Sequence, residues 1–309
     1  MLNFLPAPVL GVISLLLFIL NTLFWCLILY LFVILKLLIP HVGIRRKISI
    51  LLILIANLWI EGNSFILRIT QKIRWDVQGV TELSPRNSYL VISNHRSWTD
   101  IFVLQHIFKR KIPFLKFFLK QELIWVPFLG AAWWALDFPF LKRYSRRFLE
   151  KRPDLRGKDM QTTRMHCEKF KHSPVSIMNF LEGTRFHPKK HHAQNPPYRH
   201  LLLPKAGGVA LVLSALGDRL SNVLDTAIVY PENRTAINFW DLLSGRITCI
   251  TVRVNRLAVP EHVAGKDYEG DNAFRQKIQR WVNGIWQAKD QQIEAILAEY
   301  GSPHPLGPG

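Results

Sequence analysis

A histidine and an aspartate carry the clearest chemical signal in this sequence. His95 and Asp100 lie in the segment Ser-Asn-His-Arg-Ser-Trp-Thr-Asp, which follows the apolar run 89–92, and such a run predicts a buried strand. A histidine that leaves a strand can act as a general base near neutral pH, and a nearby carboxylate can hold its other ring nitrogen. Because residues on one helix face are three or four positions apart, the wider spacing predicts a bend, with Asp100 in the first turn of the next helix.

Asp100 also has a purely structural interpretation. The pattern Ser97-x-x-Asp100 has the form of a capping box, in which the carboxylate stabilises a helix N-terminus and does no chemistry. The choice between the two interpretations depends on the rest of the chain.

Composition points to a membrane and to an anionic partner. The 309 residues include 40 Lys and Arg against 22 Asp and Glu, a formal net charge of +18, and 49% are hydrophobic. Such a charge favours nucleic acid, phospholipid headgroups or a phosphorylated substrate. The apolar excess lies mostly at the N-terminal end, which favours a membrane over nucleic acid. The three cysteines are widely spaced, so they predict no disulfide framework and a reducing compartment.

Residues 1–70 are predicted to be a membrane anchor. Residues 9–35 contain no charge and exceed the roughly 20 residues that cross a bilayer, so we predict one spanning helix there. The second apolar run, 48–60, is followed by Glu61 and Gly62 and predicts a short re-entrant or interfacial segment, with a buried helix of the next domain as the alternative. The basic cluster 45–47 favours the cytoplasmic side, which would leave the N-terminus outside.

A domain is predicted to follow from residue 71 to residue 300. Strand-like and helix-like segments alternate there, which predicts an α/β fold with a mixed, largely parallel sheet flanked by helices. Residues 154–171 are polar and predict a helix, and residues 271–299 predict a long amphipathic helix. Residues 301–309, rich in proline and glycine, predict a disordered tail.

A second polar cluster follows the predicted strand 175–181. Glu182, Gly183, Thr184 and Arg185 come directly after it, and in α/β sheets ligands gather outside the carboxyl ends of strands. Gly183 lets the backbone approach a ligand closely, and Arg185 offers a planar fork suited to phosphate. The alternative is an ordinary polar turn.

Four motifs, taken in their order along the chain, resemble those of the glycerolipid acyltransferase family of the bacterial 1-acylglycerol-3-phosphate acyltransferases. Asn-His-x-x-x-x-Asp at 94–100 and Phe-x-Glu-Gly-Thr-Arg at 180–185 match two signatures of that family. Two further matches are Phe-Pro-Phe-Leu-Lys-Arg at 138–143 and Ile-Val-Tyr-Pro at 228–231. Lys120 and the following Pro-x-x-Gly occupy the place before the 138–143 motif. Lys142 stands where many members have an acidic residue, which puts the identity of the acceptor in doubt.

The resemblance implies transfer of a fatty acyl group from acyl-CoA or acyl carrier protein to the hydroxyl of a lysophospholipid. The expected acceptor is 1-acylglycerol 3-phosphate, which would give phosphatidic acid. His95 would take the hydroxyl proton and Asp100 would orient the imidazole. No metal or organic cofactor is implied beyond the acyl donor. The residues implied in substrate binding are Glu182, Gly183, Thr184, Arg185, Arg143 and Lys142, with Lys120 a candidate for oxyanion contact or donor binding.

Two alternatives stay open at the level of sequence. The acceptor could be glycerol 3-phosphate, another lysophospholipid or an aminoacyl lysolipid. Alternatively, a non-enzymatic, membrane-anchored protein could bind anionic lipid through its basic surface, for which the basic run 142–156 is suited. Zinc is disfavoured, because no cysteine or carboxylate completes a closed ligand set with His187, His191, His192 and His200.

The predicted surroundings of the domain follow from the same features. We expect the protein to lie in the bacterial inner membrane, with its catalytic domain facing the cytoplasm. The expected partners are membrane phospholipids, the lysophospholipid acceptor and the acyl donor, and nucleic acid is not among them.

Overall fold

The centre of the domain is a six-stranded sheet. The computed structural model describes residues 2, 4–141, 170, 173–232, 237–268 and 270–301. The strands of this sheet, in chain order, are β1 (Arg74–Gln78), β2 (Ser88–Ser93), β3 (Leu115–Phe117), β6 (Ser176–Phe180), β7 (Leu220–Val229) and β8 (Cys249–Leu257). Two short strands, β4 (Leu119–Lys120) and β5 (Phe140–Leu141), pair separately.

The sheet is mixed and largely parallel, which confirms the predicted fold class. Its strand order is β1-β8-β7-β2-β6-β3. All neighbouring strands in it pair parallel except β7 and β8, which pair antiparallel. The central strand β2 is buried from Tyr89 to Ser93, as expected for a strand that is covered on both faces.

Helices cover both faces of the sheet and create two hydrophobic cores. Side chains alternate along a strand, so Tyr89 and Val91 of β2 enter one core and Leu90 and Ile92 the other. The first core is shared with α1 (Ala7–Leu38), α2 (Val42–Thr70), α3 (Thr99–Phe108), α4 (Leu129–Ala135) and α7 (Phe239–Leu243). The second is shared with α6 (Gly207–Leu216) and α8 (Asn272–Gly301), the predicted amphipathic helix. A short helix, α5 (Pro188–Gln194), lies in the loop after β6.

The N-terminal helices α1 and α2 form an antiparallel pair, and each is long and apolar enough to cross a membrane. Asn21 of α1 donates to Asn63 Oδ1 of α2 at 2.9 Å, and Trp59 Nε1 donates to Thr22 Oγ1 at 3.1 Å. The pair is therefore joined by polar contacts as well as by apolar packing.

The predicted short second segment, 48–60, is wrong in length, because α2 continues unbroken to Thr70. Glu61 does not end the helix, since its carboxylate pairs with Lys109 at 2.9 Å and with Arg110 at 2.7 Å. Gly62 fits because a β-carbon there would lie 2.2 Å from Asn21 Oδ1. Tertiary contacts thus support the two positions that looked like a break.

The predicted single crossing by residues 9–35, with the N-terminus outside, stays a prediction, and the structure shows how the two helices lie together. The Leu2 N–H donates to the Ile69 carbonyl at 2.8 Å, so α2 returns the chain to its start. Helix α1 also contacts the domain in its first half and near its C-terminal end. Phe18 packs on Phe102 with ring centroids 5.2 Å apart, and a crevice near the end of α1 is shared with Trp134.

Several predicted features fall outside the described residues. They are the basic run 142–156, including Lys142 and Arg143, most of the predicted helix 154–171, and the tail beyond Gly301.

Candidate active site

The His95 segment lies where the polypeptide bends from β2 into α3. Strand β2 ends at Ser93, and Asp100 is the second residue of α3. The predicted bend between His95 and Asp100 is confirmed, and it places both side chains at the carboxyl end of the central strand.

His95 and Asp100 are in direct contact. His95 Nδ1 lies 2.8 Å from Asp100 Oδ2, and the Asp100 side chain is fully buried. Because a carboxylate only accepts hydrogen bonds, this contact favours the imidazole tautomer that carries its proton on Nδ1 and its lone pair on Nε2. The His95 side chain is 13% exposed, so the ring can be reached from outside while its partner cannot.

The Asp100 carboxylate is held by three further donors. The backbone N–H groups of Arg96 and Ser97 donate to Oδ2 at 2.6 and 2.9 Å. The Tyr230 hydroxyl donates to Oδ1 at 2.6 Å. Together with His95, these donors fix the position of the Asp100 carboxylate.

The capping interpretation of Asp100 is only half met. Asp100 accepts from Ser97 N, as a capping box requires. Ser97 Oγ, however, accepts from Thr99 N at 3.2 Å, whereas Asp100 N donates to the Ser97 carbonyl. The carboxylate therefore supports the start of α3 and holds His95 at the same time.

Aromatic stacking fixes the plane of the His95 ring. The ring lies 3.9 Å from the ring of Phe180, at an interplanar angle of 14°. Phe180 in turn stacks on Phe117 of β3 at 6.2 Å. Stacking on Phe180 of β6 and the contact with Asp100 thus set the orientation of the imidazole.

Sequence reasoning missed the roles of Asn94 and Tyr230. Asn94 exchanges two hydrogen bonds of 2.9 Å with the backbone of Ile228 and so ties the end of β2 to β7. Burial raises the pKa of Tyr230 well above its usual range, and the negative charge of Asp100 adds to that shift. The phenol therefore stays protonated and donates. The motif Ile-Val-Tyr-Pro at 228–231 marks both contacts in the sequence.

Glu182, which is predicted to bind substrate, points inward. Its side chain is almost wholly buried, and its carboxylate accepts from His95 N at 2.8 Å and from Leu202 N at 3.2 Å. Burial raises the pKa of Glu182 to about 7, against the opposing effect of these N–H groups and of Arg96. Glu182, which follows the end of β6 by two residues, therefore holds the backbone of His95 in place.

The turn after Glu182 faces outward. Gly183 has φ +65, and its N–H donates to the Phe180 carbonyl at 2.9 Å. Arg185 is exposed, with its guanidinium carbon 5.5 Å from the centroid of the Trp98 ring. Thr184 Oγ1 accepts from Lys190 Nζ at 2.6 Å. The predicted phosphate-binding residue is therefore open to solvent close to the start of α3.

Two basic residues beside this turn were not singled out from the sequence. Lys190 contacts Thr184 as described, and the Lys205 amine lies 3.3 Å from where a β-carbon on Gly183 would be. Both belong to the basic loop after β6, which was the only signal for them. Together with Arg185 they give this edge of the site a positive charge.

The remaining predicted residues are Lys120, Lys142 and Arg143. Lys120 is exposed in β4, which pairs with β5, and Lys142 and Arg143 lie outside the described residues. Among the residues that are described, no group of three or more His, Cys, Asp or Glu side chains could hold a metal ion.

The family of the chain follows from comparison with known proteins. Residues 74–231 match the model of the Acyltransferase family, and the matched region contains β1, the His95–Asp100 pair, the Glu182–Arg185 turn and Tyr230. The chain belongs to the acyltransferase family.

Relatives within the acyltransferase family are identical to this chain at about a quarter of the aligned positions. A 1-acyl-sn-glycerol-3-phosphate acyltransferase 3 from Arabidopsis thaliana is 24% identical over 231 residues, which cover 71% of this chain and 56% of the relative. The 1-acyl-sn-glycerol-3-phosphate acyltransferase delta of Mus musculus is 24% identical over 218 residues, covering 66% and 52%. The chain spans about half the length of these curated relatives.

A solved structure has the same fold over nearly the whole chain. The 1-acyl-sn-glycerophosphate (LPA) acyltransferase PlsC from Thermotoga maritima superposes with a TM-score of 0.56. The match covers 94% of this chain and 97% of the other, at 15% sequence identity. The shared architecture therefore includes the N-terminal helices.

Proposed function

We propose that this acyltransferase transfers a fatty acyl group from acyl-CoA or acyl carrier protein to the hydroxyl of a lysophospholipid. The proposed acceptor is 1-acylglycerol 3-phosphate and the product is phosphatidic acid. The observation that carries the proposal is the 2.8 Å contact between His95 Nδ1 and the buried Asp100 carboxylate, beside an exposed arginine. The Arabidopsis and mouse relatives, both named as 1-acyl-sn-glycerol-3-phosphate acyltransferases, support the same class of acceptor.

In the proposed reaction His95 acts as a general base and then as a general acid. Nε2 accepts the proton of the acceptor hydroxyl while the oxygen attacks the thioester carbonyl. Collapse of the tetrahedral intermediate breaks the C–S bond, and the proton passes from His95 to the departing thiolate. General base catalysis of this kind contributes about 10²–10⁴-fold to the rate.

Asp100 supports both proton transfers. It keeps the proton on Nδ1, and its charge stabilises the imidazolium that forms when Nε2 is protonated. Its contacts with Arg96 N, Ser97 N and Tyr230 hold the carboxylate still. No nucleophile from the protein takes part, because the acceptor hydroxyl attacks the donor directly.

The acceptor phosphate is proposed to bind at Arg185. A guanidinium can contact a phosphate through two parallel hydrogen bonds, and Trp98 lies beneath the Arg185 guanidinium. Lys205 and Lys190 add positive charge nearby. Lys142 and Arg143 remain proposed ligands of the same phosphate on the strength of their motif, and Lys120 a proposed contact for the donor or the oxyanion.

The catalytic domain is proposed to face the cytoplasm of a bacterial inner membrane. The basic cluster 45–47 lies at the start of α2, close to the crevice that Arg45 and Lys36 share with Trp134 of the domain. Positive residues beside apolar helices favour the cytoplasmic side, so the cluster and the domain would share that side.

The full chain in detergent micelles tests the function. Purified protein is incubated with acyl-CoA or acylated carrier protein and with a panel of acceptors: lysophosphatidic acid, lysophosphatidylethanolamine, lysophosphatidylglycerol and glycerol 3-phosphate. Extracted lipids are then identified by mass spectrometry. We expect phosphatidic acid from lysophosphatidic acid. Faster acylation of another acceptor would contradict the proposed acceptor, and no transfer from either donor would contradict the function.

A further inference from the structure

Residues 121–135 form an exposed aromatic turn beside α1. A 3-10 helix (Gln121–Trp125) leads through Val126 and Pro127 to Phe128 and then into α4. The side chains of Trp125, Phe128 and Trp134 are 86%, 59% and 51% exposed. We call these three side chains and the backbone that carries them the aromatic turn. Grouped exposed apolar side chains mark an interaction surface.

The backbone of the aromatic turn is strained at Phe128. Phe128 has φ +63 and ψ −42, and the Leu129 N–H donates to the Pro127 carbonyl at 2.7 Å, which makes a γ-turn. This conformation is rare for a bulky residue. Gly130 is required next to it, because a β-carbon there would lie 1.9 Å from the Ile124 carbonyl oxygen.

Helix α1 holds the strained residue in place. The hydroxyl of Tyr30, in the second half of α1, donates to the Phe128 carbonyl. Strained conformations persist where the surrounding structure imposes them, and they concentrate at functional positions. The contact therefore joins the exposed Phe128 to a helix that is long and apolar enough to cross a membrane.

Charged residues on α1 and α2 indicate the depth of the turn. Trp134 lines a crevice of about 230 Å³ together with Lys36 and Arg45. Basic side chains at the ends of apolar helices reach towards the headgroups, and tryptophan is enriched at the same level. Tyr30 precedes Lys36 by six residues, which is about 9 Å along a helix, so the contact with Phe128 lies farther from this basic end of α1 than Trp134 does.

We propose that the aromatic turn inserts into the lipid interface next to α1, as a membrane contact separate from α1 and α2. Its surface continues onto the exposed face of α1, which carries Leu27, Leu31 and Ile34. With Lys36 at the level of the headgroups, the distance of about 9 Å along α1 to Tyr30 matches the roughly 5–10 Å by which interfacial segments enter a bilayer. The occupant of this surface is therefore lipid.

Insertion would bring the candidate active site close to the bilayer surface. The aromatic turn begins just after β3 and β4, and Phe117 of β3 stacks on Phe180, which stacks on His95. The strand that leads into the turn is thus connected to the ring of His95 through two ring contacts.

Site-directed spin labelling of the full chain tests this proposal. Cysteine is introduced singly at Trp125, Phe128 or Trp134, in a variant whose native cysteines are replaced by alanine. The matched control is Ala288→Cys, an exposed position on α8, which packs on the opposite face of the sheet from α1. The labelled proteins are reconstituted into vesicles of phosphatidylethanolamine and phosphatidylglycerol. Collision rates are then measured with oxygen and with a water-soluble nickel chelate.

We expect oxygen to dominate at Phe128 and Trp125, an intermediate ratio at Trp134, and nickel to dominate at Ala288. Three probe positions guard against disruption of the γ-turn by a single substitution. Nickel accessibility at all three positions equal to that at Ala288 would overturn the proposal. Dipolar broadening between copies labelled at Phe128 would overturn it as well, because a second copy would then cover the surface. Neither readout depends on acyl transfer.

Discussion

The segment 94–100 and the turn 182–185 lie side by side but differ in what their polar groups face. In the first segment, Asp100 is fully buried and accepts from His95, Tyr230 and two backbone N–H groups. In the second, Glu182 is buried and holds backbone, whereas Arg185 is exposed and stacks over Trp98. The fixed groups suit proton transfer and the exposed one suits binding of a mobile anion. Substitutions in the first segment should therefore change kcat, and substitution of Arg185 should change KM.

The largest difference is expected for Asp100→Asn. Its amide cannot stabilise an imidazolium, so kcat should fall by at least about 10²-fold with little change in KM. Steady-state kinetics with lysophosphatidic acid measure both constants. Asp76→Asn is the matched control, because Asp76 is also ion-paired, with Arg253 at 2.7 Å, but on the outer strand β1. Equal kcat for the two variants would remove Asp100 from the mechanism.

Arg185→Ala should change the KM for the acceptor, in contrast to the substitutions in segment 94–100. Loss of a charge-assisted contact of about 1.5–3 kcal/mol raises the acceptor KM roughly 10- to 100-fold, while kcat changes less. Arg185→Lys should recover part of the affinity, since a point charge cannot reproduce the guanidinium fork. The control is Arg86→Ala, an exposed arginine before the opposite end of β2. If the KM for acyl-CoA rose in place of that for the acceptor, Arg185 would belong to the donor site.

Tyr230→Phe should give a smaller effect than Asp100→Asn in the same constant. It removes one of the donors to Asp100, so kcat should fall about tenfold while the acceptor KM stays the same. Tyr89→Phe is the control, because the Tyr89 hydroxyl lies at the far end of β2 from His95. It accepts a hydrogen bond from Ser84 N at 3.0 Å. A change in KM without a change in kcat would show that Tyr230 binds substrate.

Glu182→Gln should change the pH dependence of stability. With its pKa raised to about 7, folded Glu182 keeps a proton that the unfolded chain loses near its ordinary, lower pKa. The unfolding free energy contributed by this group is therefore present below that ordinary value and is lost as pH rises towards 7. Melting temperatures from pH 4 to pH 8 should fall more steeply for the wild type than for Glu182→Gln. Parallel curves would mean that Glu182 does not titrate in this window.

The sequence predicted the parts of the site that are local in the chain. The spacing of His95 and Asp100 predicted the bend, and the apolar runs predicted the strands that lead to His95 and Glu182. The role of Tyr230 was missed because Tyr230 lies 130 positions after Asp100 in the sequence, and neither periodicity nor turn composition reports such a contact.

The errors share a physical cause, which is tertiary contact at a position that looks unfavourable locally. Glu61 and Gly62 read as a helix end, yet Lys109 and Asn21 make them part of α2. The inward position of Glu182, which accepts from the amides of His95 and Leu202, likewise depends on contacts that the local sequence does not show. The place of β8 between β1 and β7 likewise depends on pairing between distant segments.

His95→Ala tests the central claim most directly. The measurement is kcat for acyl transfer to lysophosphatidic acid, with the melting temperature as a check on folding. His106→Ala is the matched control, because His106 also stacks on an aromatic ring, Trp75 at 4.4 Å, and bonds a polar side chain, Ser64 Oγ at 3.0 Å. We predict a fall of at least about 10²-fold for His95→Ala and near-normal kcat for His106→Ala. A folded His95→Ala protein with near-normal kcat would contradict the account.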